Sequence, residues 1–212
     1  MGLTGTCGAA LDEERHFQLA ISGGGLRTDL TFDGNRQHLE EASAAVAFTY
    51  RPSALSFQVS LGAIVAGSVT GPLGDYDLKP GIVGSASVGY TLLDGTGPRP
   101  FLALSGSVSI SIAPTRSRSS SADRPDFTAS DLRASVVFGK RLFDVWMPYV
   151  GAAAFGGPVW FAPGGQSRTG SDVYHYRLSA GSSFSLPANL EAFVEVGFLG
   201  EQAVLGGLGW AF

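Results

Sequence analysis

Leu55-Ser56-Phe57-Gln58-Val59-Ser60-Leu61-Gly62-Ala63-Ile64-Val65 decides the fold of this chain. It lies inside a stretch without charge from Pro52 to Gly74, long enough for the ~20 residues of a membrane helix. Its order is not helical. Leu55, Phe57, Val59, Leu61, Ala63 and Val65 alternate with Ser56, Gln58, Ser60, Gly62 and Ile64, the period of a strand with two unlike faces. A second uncharged stretch, Val145 to Ser167, contains Pro148, Pro158, Pro163 and Gly-Gly pairs, which oppose a continuous helix.

The same alternation recurs about every twenty residues. Outward from the first run it appears in Ala44–Tyr50 and Phe17–Ile21 upstream, then in Ile82–Leu92, Leu102–Ile112, Leu132–Phe138, Tyr149–Phe155, Tyr174–Leu186, Leu190–Phe198 and Val204–Phe212. That makes ten runs, an even number that suits a closed antiparallel barrel. The expected fold is all-β, a transmembrane up-and-down antiparallel barrel of about ten strands over residues 16–212, with eight as the alternative if a hairpin is lost or merged. Residues 1–15 are expected to form an N-terminal periplasmic segment.

Composition assigns the faces. Of 212 residues, 44% are hydrophobic, only 15% charged, and 30 are glycine. The apolar face of the runs carries one charge, Lys140, at a strand end where it could snorkel to an interface. The opposite face is mostly serine, glycine, alanine and threonine. A soluble sandwich would show water a face rich in lysine and glutamate, so small polar residues point into a crowded lumen and apolar ones towards lipid. A soluble ligand-binding barrel is the alternative.

Links between the runs are unequal. Arg51-Pro52-Ser53, Asp94–Pro98, Phe143–Trp146 and Pro187-Ala188-Asn189 are short; residues 23–41, 71–81, 113–130 and 156–172 read as long or polar connections, the first with a turn at Asp33-Gly34-Asn35. The link at Gly200-Glu201-Gln202 is short where a long one is due. Aromatics gather at the short-turn side: Tyr50, Phe57, Tyr90, Phe101, Phe138, Trp146, Tyr149, Phe184, Phe193, Trp210 and Phe212 are expected to form an interfacial girdle.

The final stretch, Gly206-Gly207-Leu208-Gly209-Trp210-Ala211-Phe212, resembles the terminal strand of Gram-negative outer-membrane β-barrel proteins. Pro148-Tyr149-Val150-Gly151-Ala152 resembles strand openings of small barrels of that class. The resemblance implies a bacterial outer-membrane location, contact with outer-membrane lipid and lipopolysaccharide, and recognition of Leu208, Trp210 and Phe212 by the barrel-assembly machinery. Met1–Arg15 lacks the basic and apolar regions of a signal peptide, which is expected of a mature sequence with an added methionine. Met1–Thr6 formally fits a myristoylation pattern, and Leu3–Cys7 is a poor lipoprotein box; Cys7 is read as a free thiol.

Chemistry is sparse in the sequence. His16, His38 and His175 lack metal-motif spacing, and no Asp-His or Ser-His constellation of a barrel hydrolase is apparent. One cysteine excludes an internal disulfide, and a net charge of -4 without a basic cluster argues against nucleic acid. Ser22-Gly23-Gly24-Gly25 reads as a bulge that shifts parity from Phe17, Leu19 and Ile21 to Leu26, Leu30 and Phe32. Asp75 and Asp77 are too few for calcium, and Arg116–Arg124 reads as a mobile outer loop whose arginines could meet lipopolysaccharide phosphates. Lumen-facing Arg177, Glu191 and Glu195 on adjacent strands, joined by Arg51 and Arg133, are expected to form a charge network. No catalytic residue, cofactor or metal is expected. The function expected is a non-enzymatic anchor or scaffold for a cell-envelope assembly, with an envelope protein as partner. A narrow passive pore is one alternative, and an adhesin using Tyr76, Trp160 and Phe161 is another.

Overall fold

A computed structural model describes residues 16–120, 122–143 and 145–212. The expectations for residues 1–15, including Cys7 and the periplasmic segment, lie outside the described residues. Thirteen antiparallel strands follow one another: β1 Phe17–Phe32, β2 Asn35–Tyr50, β3 Leu55–Thr70, β4 Tyr76–Leu78, β5 Gly81–Asp94, β6 Phe101–Ser117, β7 Asp126–Gly139, β8 Trp146–Gly156, β9 Val159–Phe161, β10 Arg168–Asp172, β11 Tyr176–Leu186, β12 Leu190–Gly200 and β13 Gln202–Ala211.

Their pairing closes twice. At the short-turn end β1, β2, β3, β5, β6, β7, β8, β11, β12 and β13 form a ring of ten. At the other end β1, β2, β3, β4, β6, β7, β9 and β10 form a ring of eight. The difference is the last hairpin. β12 and β13 stop at Gly200–Gln202, while β1 continues to Phe32 and pairs above them with β10. The ring that bears the apolar belt thus has the ten strands expected from the sequence, and the eight-stranded ring is a separate feature at the other end.

The outer face explains the two zones. Around the ten-stranded ring it is apolar: Leu61 is 70% exposed and Leu132 69%, with Ile21, Val108, Val150 and Val204 also exposed. On β1 this belt runs from Phe17 to Gly25, nine residues, close to the ~9–11 of a membrane-spanning strand. Such a surface in water would be an enormous apolar patch; in lipid it is a solvated face. Beyond it the pattern inverts. Arg27, His38 and Glu40 face outward, while Leu26, Leu30, Phe32, Leu39, Val69, Tyr76, Leu78, Phe127, Val159 and Phe161 are buried in one core inside the eight-stranded ring.

This inversion corrects two sequence expectations. The residue register from Phe17 to Phe32 is unbroken against β2, so no bulge lies at Ser22–Gly25. Apolar residues change face because β1 leaves lipid and enters a water-surrounded barrel with its own core. Gly24 instead serves close approach, since a Cβ there would overlap the Val204 carbonyl. Register does shift elsewhere, opposite Val65, Leu92 and Phe198. Residues 23–41 are also no long link: Asp33 and Gly34, with φ of 51° and 81°, make a two-residue hairpin turn between 16-residue strands. Much of residues 71–81, 113–130 and 156–172 is likewise strand.

The girdle is partly corrected. Tyr50, Phe57, Tyr90, Phe138, Trp146, Phe184, Trp210 and Phe212 do face outward, but Phe101, Tyr149 and Phe193 are buried in the lumen. Small neighbouring residues leave the lumen space for these rings.

Candidate functional site in the lumen

Four of the five charged residues expected in the lumen are buried there. Arg177 on β11 pairs with Glu195 on β12 through Nη2 and Oε1. Two further acids that the sequence did not single out, Glu201 and Asp131, complete the cluster. Glu201 accepts from Arg133 Nη1 and Nη2 at 3.0 Å each, and from Arg177 Nη1 at 3.2 Å. Arg133 Nε donates to Asp131 Oδ2 at 3.2 Å, and its guanidinium lies 4.4 Å from the Phe155 ring centroid. Tyr149 Oη donates to Glu195 Oε2 at 3.1 Å.

Two expected members stand apart. Glu191 is buried but accepts from Gln18 Nε2 at 3.0 Å, nearer the short-turn end. Arg51 lies at that end, where its backbone N–H donates to His16 O at 2.7 Å and its side chain borders a separate cavity. The guanidinium–carboxylate layer forms at mid-height because β12–β13 is short. Its turn is tight: Gly200 has φ of 73°, and a Cβ would overlap the Tyr176 carbonyl. Below the end of the β10–β1 pairing, the turn brings Glu201 inward to 2% exposure. A glutamate in a hairpin turn reads as solvated; only the missing two strands above it make it an interior group.

Above this layer sits the apolar core. Phe161 packs edge-on against Tyr76 at 5.0 Å and against Phe127 at 5.9 Å between ring centroids. Tyr76 and Phe161 are therefore core residues, not exposed adhesive aromatics; Trp160 alone of that trio is exposed. Burial, reinforced by the hydrogen bond from Tyr76 Oη to Asp123 at 2.7 Å, pushes the tyrosine up to about 12. Asp123 also receives the Gly164 N–H at 3.1 Å, so this part of the Arg116–Arg124 loop is fastened to its neighbour. Asp172, hydrogen-bonded to Thr28 at 3.2 Å, is pushed up to about 7 by burial first and the Glu201 charge second.

Below the charge layer is a cavity of about 460 Å³, bordered by Arg51, Gln58, Ser87, Phe101, Met147 and Tyr149 among others. The lumen is thus stratified into a cup, a charge layer and an apolar core.

The histidines do not meet one another. His16 Nδ1 lies 3.1 Å from the Arg51 carbonyl, and His175 Nδ1 lies 3.2 Å from the Phe155 carbonyl. His38 does meet an acid, Asp29 at 3.0 Å, across the β1–β2 pair. That contact was not visible as sequence spacing. It lies on the exposed outer face within a ladder containing Arg27–Glu40 at 2.9 Å and Arg36–Asp29 at 2.9 Å. Among the described residues no group of three His, Cys, Asp or Glu side chains is placed to hold a metal ion.

Leu208 and Trp210 project into the lipid belt with Phe212. Phe212 closes the barrel through reciprocal backbone bonds with Phe17, 3.2 and 2.9 Å, and its ring lies 5.0 Å from Trp210.

No protein-family model and no curated protein matches the chain. Solved structures of similar shape do. An outer membrane channel from Pseudomonas putida F1 matches with a TM-score of 0.56 and 10% identity over 100% of both chains. The translocator domain of the autotransporter NalP from Neisseria meningitidis matches with 0.53 and 9%, over 93% of this chain and 88% of that one. The outer membrane protease OmpT from Escherichia coli matches with 0.53 and 10%, over 93% and 97%. At such identities the likeness is one of fold, and the fold is that of an outer-membrane β-barrel.

Proposed function

We propose that this outer-membrane barrel is a closed, non-enzymatic anchor that fixes a cell-envelope assembly to the membrane through an envelope protein partner. The observation carrying this reading is the double closure of the lumen, by the Arg133–Glu201–Arg177 layer and by the apolar core above it. A hydrated route needs a continuous polar lining. Here Leu30, Phe32, Phe127 and Phe161 occupy the path in the eight-stranded ring, where ~8 strands are filled by their own side chains.

The solved structures of this shape include a channel, an autotransporter translocator and a protease, so shape alone does not choose among functions. A narrow passive pore is the competing reading, favoured by the 460 Å³ cavity at the short-turn end. Planar-bilayer recording separates the two. The anchor reading expects no conductance steps from the purified chain and a stoichiometric partner on purification from native membranes. Reproducible steps from the wild-type chain would overturn it.

In this reading the short turns face the periplasm, the eight-stranded ring stands above the outer leaflet beside lipopolysaccharide, and Leu208, Trp210 and Phe212 are the residues offered to the assembly machinery.

A further inference from the structure

The cup at the short-turn end is built as a binding cavity. Its volume of about 460 Å³ falls within the ~300–1,000 Å³ range of small-molecule sites. One side presents the hydroxyl and amide groups of Ser56, Gln58 and Ser87; another presents buried Phe101, Met147 and Tyr149. Arg51 and Arg99 border it. The acid bordering the cup, Asp94, accepts from the N–H and hydroxyl of Thr96 at 3.1 and 2.9 Å and also lies in the field of Arg99, so the two arginines leave the rim net cationic. Cations at the rim with an apolar wall behind them fit one ligand chemistry.

We infer that the cup binds a small amphipathic carboxylate, its apolar body against Phe101, Met147 and Tyr149 and its carboxylate at Arg51 and Arg99. The inference rests on the closed-lumen reading, because a cavity ending at the charge layer retains a ligand that a pore would pass. Arginine offers paired donors to a carboxylate, and a low-dielectric wall strengthens that attraction. Hydroxyls of Ser56 and Ser87 can satisfy one further polar group of the ligand.

The test uses the full chain in phosphatidylcholine nanodiscs, with 3-(4-fluorophenyl)propanoate as probe and fluorine NMR as readout. Expected are saturable binding of one probe per chain, at least tenfold weaker binding of the corresponding neutral amide, and a similar loss in the Arg51→Gln/Arg99→Gln double variant. Ser87→Trp fills the cavity and should abolish binding. Heat-modifiable migration on SDS gels checks that each variant is folded, and the rim variant serves if Ser87→Trp does not fold. No saturation beyond empty nanodiscs, equal binding of acid and amide, or undiminished binding in a folded variant would overturn the inference. Bilayer recording on the same preparation separates this result from the preceding reading: a conducting barrel that still saturates with probe sinks the closed lumen and leaves the cup, whereas a silent barrel without binding sinks the cup alone.

Discussion

Glu201 shows how one side chain can organise a lumen. It accepts from both Arg133 and Arg177, and a neutral replacement would leave two buried guanidiniums undercompensated. Removing one partner of a buried ion pair costs about 3–5 kcal/mol. Glu201→Ala is therefore expected to lower the temperature at which the barrel loses its compact migration on SDS gels, whereas Glu40→Ala, in an exposed pair with Arg27, should move it little. An unchanged midpoint in Glu201→Ala would show that the layer adds nothing to stability. Asp172 has the opposite character. Its carboxyl, at about 7 in the folded chain against an ordinary 3.8, binds a proton more readily folded than unfolded. The folded state then loses stability as pH rises from about 4 to 7, where the unfolded chain has already released its proton, and the loss is complete above 7. Asp172→Asn should flatten that slope and raise the unfolding midpoint at pH 8; a parallel pH profile for wild type and variant would contradict the assignment.

At the scale of elements, the short β12–β13 hairpin sets the change from ten strands to eight. Gly200 permits its turn: a side chain there meets the Tyr176 carbonyl at a positive φ. Gly200→Val should displace Glu201, with a stability loss comparable to that of Glu201→Ala and little further loss in the double variant, as expected when two changes break one interaction. Additive losses in thermal unfolding would refute that coupling. The ten membrane strands were legible because lipid outside and small polar residues inside impose opposite faces, as in Leu55–Val65. The upper strands were harder to read. In Leu26–Phe32 the alternation continues with the apolar face turned inward, so a strand changing its surroundings looks like a bulge followed by a loop. Arg177 and Glu195 could be placed from parity on neighbouring strands, but Asp131 and Glu201 required the vertical offset of strands around the barrel, which no local pattern records.

The whole molecule is two barrels on one axis, one solvated by lipid and holding a charge layer, small polar residues and a few rings such as Phe101 and Phe193, the other facing water and filled with Phe, Leu, Val and Tyr side chains. The same substitution must therefore act differently with height. An arginine in place of Leu61, 70% exposed on the lipid belt, faces hydrocarbon and should cost about 2–4 kcal/mol near the bilayer midplane. An arginine in place of Ser68, seven residues along the same strand and beside the exposed Arg27–Glu40 pair, faces water and should change stability by less than about 0.5 kcal/mol. Inward substitutions should show the reverse order: Phe127→Ala opens the upper core at about 3–5 kcal/mol, while Ser87→Ala, which borders the cup and loses only a long 3.5 Å contact to Gln58, should be nearly neutral. Denaturant titration of all four variants refolded into the same lipid vesicles checks the set. If Ser68→Arg proved as costly as Leu61→Arg, the upper ring would lie in lipid, and its apolar interior would need an explanation other than a water-exposed barrel.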